Sequence, residues 1–312
     1  MTKLKRVLIS LTILLFLAGC NISYDSHDYY YSEYTYRPAS DITPLMWHVT
    51  SPAGQTMYLF GSIHVGTPDI YPLPDFIMDA FHRSDYLAVE FDMLSIVRYM
   101  GAIQRLITYT DDRTIVDDIG EELHEKARAF LRENGYPYLH LDLFKPFMWQ
   151  QAILDVSVRR AGLSPDYGLD MFFLQEARQR NMEILEVESA LSQTEMLAGF
   201  SMPLQIALLT EMLEYTDYTE HQLWELYSLW KQGDEQGIIA IVNQDYIYED
   251  ELFAEYWDAM MTQRDIHMAE MARSYMAEGK KVFFVVGLAH FLVENGVIDL
   301  LVQNGYEVVR VQ

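Results

Sequence analysis

Two Gly-x-x-His segments, Gly61-Ser62-Ile63-His64 and Gly287-Leu288-Ala289-His290, constrain the fold of this chain more than any other feature. Each follows a short apolar run, Met57-Tyr58-Leu59-Phe60 before the first and Val282-Phe283-Phe284-Val285-Val286 before the second. Runs of that length, rich in β-branched and aromatic residues, read as buried strands. Glycine at the end of each lets the backbone turn where a side chain would clash. The histidine that follows is delivered to the carboxyl edge of a sheet, where α/β folds build their sites. Two histidines reaching one edge from opposite ends of the sequence read as one divided site.

Further strands and helices fit around that pair. Residues 45–50 and 57–60 flank Ser51-Pro52-Ala53-Gly54-Gln55, a hairpin-like connection. A helix is expected over 74–83, strands over 86–91 and 182–187, and a mainly helical stretch over 93–280 with stops at Gly135-Tyr136-Pro137 and Ser164-Pro165. The end reads as strand 281–286, helix 297–304 capped by Gly305, and strand 306–311. The expected class is α/β (α+β). A split, mixed central β-sheet is flanked by helices and carries a long, mainly helical insertion around 93–280, all within a domain over 44–312.

The start of the chain lies outside that domain. Lys3, Lys5 and Arg6 precede an apolar stretch over 7–17 and then Leu17-Ala18-Gly19-Cys20. This order describes a secretory signal, and the apolar run is short for a membrane span. Leu-Ala-Gly-Cys also resembles the bacterial lipobox, which implies lipidation of Cys20; the plainer reading is an exported protein with a chance cysteine. Cys20 is the sole cysteine, so the domain can form no internal disulfide and has no cysteine nucleophile. Residues 1–19 are then the signal, and 20–43 (with Tyr24, Tyr29, Tyr30, Tyr31, Tyr34 and Tyr36) a flexible spacer or, alternatively, a glycan-stacking segment. Loss of Lys3, Lys5 and Arg6 with the signal takes the net charge from −24 to −27. Such a body repels nucleic acid and anionic lipid, so attachment to the membrane is expected through acyl chains. The expected place is the bacterial cell envelope, lipid-anchored on the extracytoplasmic side.

Polar residues at strand ends supply the candidate chemistry: His64, Glu90, Glu188 and His290. Two imidazoles with one or two carboxylates form a mixed N/O set suited to Zn²⁺, Mn²⁺, Co²⁺ or Fe²⁺ with positions left open for water. Each has a plainer alternative. Glu90 can pair with a nearby base, Glu188 can cap the helix after it, and either histidine can be a hydrogen-bonded structural residue. Ser62 lacks a Gly-x-Ser-x-Gly elbow and reads as support for its loop. His267 and Glu270 lie one helical turn apart but read as a solvated helix face, and Met196, Met202, Met212, Met260, Met261, Met268 and Met271 read as core filling. No His-Glu-x-x-His, P-loop or dinucleotide fingerprint is present in the sequence.

From about Leu45 to Gln312 the sequence resembles the TraB/GumN family, which includes the Tiki proteases. The resemblance is carried by Met46-Trp47-His48-Val49 with Tyr58-Leu59-Phe60-Gly61-Ser62-Ile63-His64-Val65-Gly66, by Phe81-His82-Arg83-Ser84-Asp85-Tyr86-Leu87-Ala88-Val89-Glu90, and by Val285-Val286-Gly287-Leu288-Ala289-His290-Phe291. Lys145-Pro146-Phe147, Gly168-Leu169-Asp170, Val187-Glu188-Ser189-Ala190 with Gln193, and Arg264 add to it. The resemblance implies a fold shared with erythromycin-esterase-like and haem-binding relatives, with His64, Glu90 and His290 as functional residues. For the Tiki members it implies metal-dependent peptide-bond cleavage of a secreted partner; it favours Mn²⁺ or Co²⁺, with Zn²⁺ compatible. Val293, where the family often has glycine, and His48 are departures.

The expected protein is therefore a lipid-anchored metallohydrolase, protease-like, acting on a secreted or envelope peptide. His64 and His290 hold the metal, Glu90 is a further ligand or general base, Glu188 stands nearby as a ligand, and Arg264 steadies an oxyanion or substrate carboxylate. The competing expectations are a haem-, metal- or peptide-binding lipoprotein without chemistry, and a metal-independent, esterase-like hydrolase.

Overall fold

The apolar runs form one sheet in the computed structural model, which describes residues 39–243 and 251–311. The expected signal, Cys20 and the tyrosine-rich spacer up to residue 38 lie outside the described residues. The strands are β1 (Met46–Thr50), β2 (Thr56–Ser62), β3 (Tyr86–Val89), β4 (Glu183–Glu186), β5 (Val282–Gly287) and β6 (Glu307–Arg310). Their order is β4-β3-β5-β2-β1-β6. β4, β3, β5 and β2 run parallel, and β1 runs against both of its neighbours. The fold is mixed α/β, as the sequence predicts.

β5, from the far end of the chain, lies between β2 and β3. A strand in that place is covered on both faces, which explains its unbroken apolar run: Val282 to Val286 are all buried. On one face Phe60, Phe81, Phe173 and Phe283 form a cluster with ring centroids 4.9–5.8 Å apart. Phe81 comes from the helix Asp75–His82 and Phe173 from the helix Leu169–Gln179, so this cluster fixes both helices on the sheet. Burial of rings of this size is the largest single contribution a core residue makes.

Three of the helices between β3 and β5 begin at side-chain caps. Thr114 and Asp117 close a capping box on Ile115–Glu133, Ser189 and Ser192 do so on Ala190–Ala198, and Ser201 with the following proline opens Met202–Glu214. Gly305 adopts φ +82° after the helix Val297–Gln303. Before β1, the backbone is already bound to the domain: Ser40 N–H donates to Pro72 O at 2.9 Å and Thr43 N–H to Lys231 O at 2.8 Å. The spacer expected to reach residue 43 is thus fixed from Ser40 onward.

Candidate active site

Parallel strands in register bring their carboxyl ends to one edge. Val285 on β5 pairs with Phe60 on β2 and with Val89 on β3, and Ser62 pairs with Gly287. His64 follows β2, Glu90 follows β3, and His290 lies in the short helix Ala289–Leu292 after β5. A Cβ placed on Gly287 would lie 3.3 Å from Glu90 Oε1, 3.6 Å from His290 Cδ2 and 3.7 Å from His64 Nε2. Residues from the start and the end of the chain therefore converge on the space over one glycine.

The two glycines of the repeated motif serve different ends. Neither has a positive φ, so the sharp turn expected of them is not their reason for being glycine. A Cβ on Gly61 would lie 2.2 Å from Leu288 Cδ1, so Gly61 permits the two motifs to pack against each other. Gly287 instead leaves room among Glu90, His64 and His290. Trp230, in the helix Thr216–Gln232, donates from Nε1 to Gly61 O at 2.9 Å, and Thr67 N–H donates to Tyr227 Oη at 3.2 Å. That helix ties down the loop carrying His64.

Both oxygens of Glu90 are engaged. Gly287 N–H donates to Oε1 at 2.8 Å, while Arg264 Nη2 at 2.6 Å and Gln193 Nε2 at 3.0 Å donate to Oε2. Burial works to raise the Glu90 pKa, but the Arg264 guanidinium foremost, with the two imidazoles and the Gly287 N–H, holds it far below the usual carboxylate range. The ion pair with Arg264 favours the anionic form of Glu90. Arg264 is itself held well above its usual value, because Glu90 and Glu188 outweigh the effect of burial.

That ion pair revises two expectations. Arg264 donates from Nε to both Glu188 oxygens, at 2.9 and 3.2 Å, and from Nη1 to Met260 O at 3.4 Å, a carbonyl in the π-helical turn Asp258–Thr262. Two carboxylates and a carbonyl engage four of its five N–H groups, which makes Arg264 the buried counter-ion of Glu90 and Glu188. Glu188 accepts from Arg264 and from Gln193, and is the second counter-ion of the pair rather than a ligand beside the imidazoles. Its neighbour Ser189, not Glu188, caps the following helix.

Each imidazole is backed by a carboxylate. Asp170 Oδ2 lies 2.7 Å from His64 Nδ1 and also accepts from Ser62 Oγ at 2.5 Å, so Ser62 braces the carboxylate that faces His64. Asp265 Oδ1 lies 2.6 Å from His290 Nδ1. Burial alone would lower the His64 pKa; the Asp170 charge and hydrogen bond, helped by Glu90, overcome this and raise it to about 9. The His64 side chain is 24 % exposed against 6 % for His290, so His64 is the member that meets solvent. Burial pushes Asp265 up, against the pull of His290.

Asp170, Asp265 and Gln193 are not found as site residues by looking at strand ends. A signal for the two aspartates exists. Asp170 shares a helix face with Phe173, Leu174 and Ala177, and Asp265 with Met261, Met268 and Ala272, all buried. A carboxylate on an apolar helix face needs a partner. The lesser candidates fall as read: His267 donates to Val187 O from an exposed helix face, and Glu270 is exposed. His48 packs edge-on against Tyr58, away from the strand ends. Val293 sits at φ −70° with its side chain buried, so no glycine is needed beside His290.

His64, His290 and Glu90 offer donors of the right kind for a borderline divalent metal. The Nε2 of each ring is turned from its carboxylate, and Oε1 of Glu90 keeps a lone pair beyond the one used by Gly287. Glu188 does not fit such a set. Among the described residues, no three His, Cys, Asp or Glu side chains are gathered closely enough to hold a metal ion as they stand.

The family model of the TraB/PrgY/gumN family matches residues 45–310. Among curated proteins the chain is similar to the uncharacterized protein YbaP of Escherichia coli, 26 % identical over 257 residues that cover 81 % of this chain and 90 % of that protein. It is similar to an uncharacterized protein of Treponema pallidum, 21 % identical over 262 residues, 79 % of this chain and 73 % of that protein. It is also similar to the metalloprotease TIKI2 of Xenopus tropicalis, 23 % identical over 323 residues, 86 % of this chain and 60 % of that protein. No solved structure matches the chain with significance. The matched span runs from the residue before β1 to the end of β6 and takes in every side chain around Gly287: the chain belongs to the TraB/PrgY/gumN family.

Proposed function

We propose that this protein is a hydrolase of the bacterial cell envelope, protease-like, which cleaves peptide bonds of a secreted or envelope substrate. The observation that carries the reading is the convergence of His64, Glu90 and His290 on the space over Gly287. The similarity to a metalloprotease supports peptide hydrolysis, and the signal-like start with Cys20 supports a lipid anchor outside the cytoplasm. A divalent metal would be held by His64 and His290 with Glu90. Bound there, it would polarise the scissile carbonyl and make a water nucleophilic near neutral pH.

The chain's own groups divide the remaining roles. Glu90, locked as an anion by Arg264, supplies fixed negative charge and is a poor proton acceptor at neutral pH. Proton movements fall to the imidazole Nε2 atoms, since both Nδ1 atoms are engaged; His64 turns Nε2, and His290 its Cδ2 edge, toward the space over Gly287. Buried Arg264, Glu188 and Gln193 keep Glu90 from following a substrate.

One observation favours a second reading, a metal-independent hydrolase. With a pKa of about 9, His64 carries a proton at neutral pH and can hand it from Nε2 to a leaving group. Metal binding must displace that proton. The test is digestion of a peptide library read by mass spectrometry, with and without exhaustive chelation. Cleavage that is lost in His64→Ala and His290→Ala, with melting temperatures kept, is expected; undiminished cleavage in both variants removes the proposal. Loss on chelation and recovery with Mn²⁺, Co²⁺ or Zn²⁺ supports the metal reading, and full activity after chelation supports the second.

A further inference from the structure

Neither carboxylate behind the histidines comes from the strands that deliver those histidines. Asp170 lies in the first turn of the helix Leu169–Gln179 and Asp265 in the first turn of Gln263–Ala277, both from the helical stretch between β3 and β5. Each is buried on an apolar face, where an unpaired carboxylate is strongly disfavoured. The imidazole is therefore the partner that makes each burial tolerable.

The Asp170 side is fixed in further ways. Ser62 Oγ donates to the oxygen that faces His64, and Leu169 N–H donates to Ile63 O at 3.1 Å. Gly168 packs so closely on His64 that a Cβ there would lie 2.4 Å from the His64 carbonyl oxygen. On the other side, Arg264 and Asp265 are consecutive: one clamps Glu90 and the next holds His290. A single helical turn, the one that follows the π-helical Asp258–Thr262, thus sets two of the three groups around Gly287.

A neutral imidazole has one N–H and one lone pair. A carboxylate at 2.6–2.7 Å from Nδ1 accepts only if the hydrogen is on Nδ1, which leaves the lone pair on Nε2. We infer that Asp170 and Asp265 are paired positioning residues, which hold both rings with Nδ1–H turned toward the carboxylates, so that each ring, when neutral, keeps its lone pair on Nε2. The inference deepens the proposed hydrolytic site and rests on reading the space over Gly287 as where substrate reacts. The helical stretch thereby acquires a role of its own, since it carries the carboxylates that orient histidines delivered by the sheet.

Nitrogen NMR of the protein with ¹⁵N-labelled histidine, without added metal or substrate, tests this at pH 10, above the His64 value of about 9. Signals are assigned with His64→Gln and His290→Gln. Both rings are expected as the Nδ1–H tautomer. Asp170→Ala should release His64 alone, and Asp265→Ala should release His290 alone, into mixtures containing Nε2–H. Asp170→Asn and Asp265→Asn, whose amide oxygen still accepts, should restore Nδ1–H. Alanine variants that keep the Nδ1–H tautomer overturn the inference. So does hydrogen on Nε2 of either wild-type ring, a result that can be read even where an alanine variant fails to fold. An absence of hydrolysis would remove the proposed function and leave this tautomer assignment standing.

Discussion

The two motif glycines look alike in sequence, yet alanine at each should fail in opposite ways. Neither position needs a left-handed backbone, so alanine fits the conformation and removes some freedom from the unfolded chain, worth about 0.4–1 kcal/mol in favour of folding. At Gly61 the added methyl would lie 2.2 Å from Leu288 Cδ1 and 3.1 Å from its Cβ and Cγ. Leu288 is buried, so it must leave its rotamer, and overpacking of this kind costs about 1–3 kcal/mol. The balance is a loss of roughly 1–2 kcal/mol, several degrees of melting temperature for a domain of this size. At Gly287 the methyl meets Glu90 Oε1 at 3.3 Å and the two rings at 3.6 and 3.7 Å, so the carboxylate must give by only a few tenths of an ångström, far less than Leu288 must move at Gly61. Gly287→Ala should therefore melt within about a degree or two of wild type. It should nonetheless lose on the order of 100-fold or more in kcat/KM, because the methyl occupies the space where the three groups meet. Thermal unfolding and hydrolysis of a peptide returned by the library screen measure both. A Gly287→Ala enzyme with wild-type turnover refutes the reasoning, as does one destabilised as much as Gly61→Ala.

Two further perturbations test the charges of the site. Arg264→Met leaves Glu90 and Glu188 buried without their cation and should cost about 3–5 kcal/mol in urea unfolding; a loss below about 1 kcal/mol contradicts the ion-pair account. His64 titrates at about 9 when folded against 6.5 when free, so its contribution is complete below about pH 6.5 and is lost as pH rises through 9. That contribution is at most about 3 kcal/mol. The stability gap between wild type and His64→Gln should narrow from pH 6 to pH 10, and a gap that stays constant contradicts the Asp170 pairing.

Strands were legible because a strand buried on both faces must be apolar throughout, a condition that Val282–Val286 meets in full and Met57–Phe60 meets except at half-buried Tyr58. The meeting of His64, Glu90 and His290 was legible for a related reason: polar residues directly after such runs have only the sheet edge to occupy. The contacts behind them were not. Arg264 is read as a substrate-facing cation until its two buried carboxylate neighbours are seen, and those neighbours come from segments far away in sequence. Glu188 follows a strand as Glu90 does, but β4 is the edge strand and its end lies one strand further from β5. Asp170 and Asp265 lie inside helices, where strand-end reasoning does not look; the apolar faces on which they sit were the available signal.

Whether His64 and His290 act in one site is measured most directly by a cycle of His64→Ala, His290→Ala and the double variant, read as kcat/KM on one cleaved peptide. Groups that act as a unit lose nearly everything with the first substitution. The account predicts that each single variant falls about as far as the double variant, with all three still folded. Losses that simply add, or a single variant that retains wild-type turnover, would contradict a shared site over Gly287.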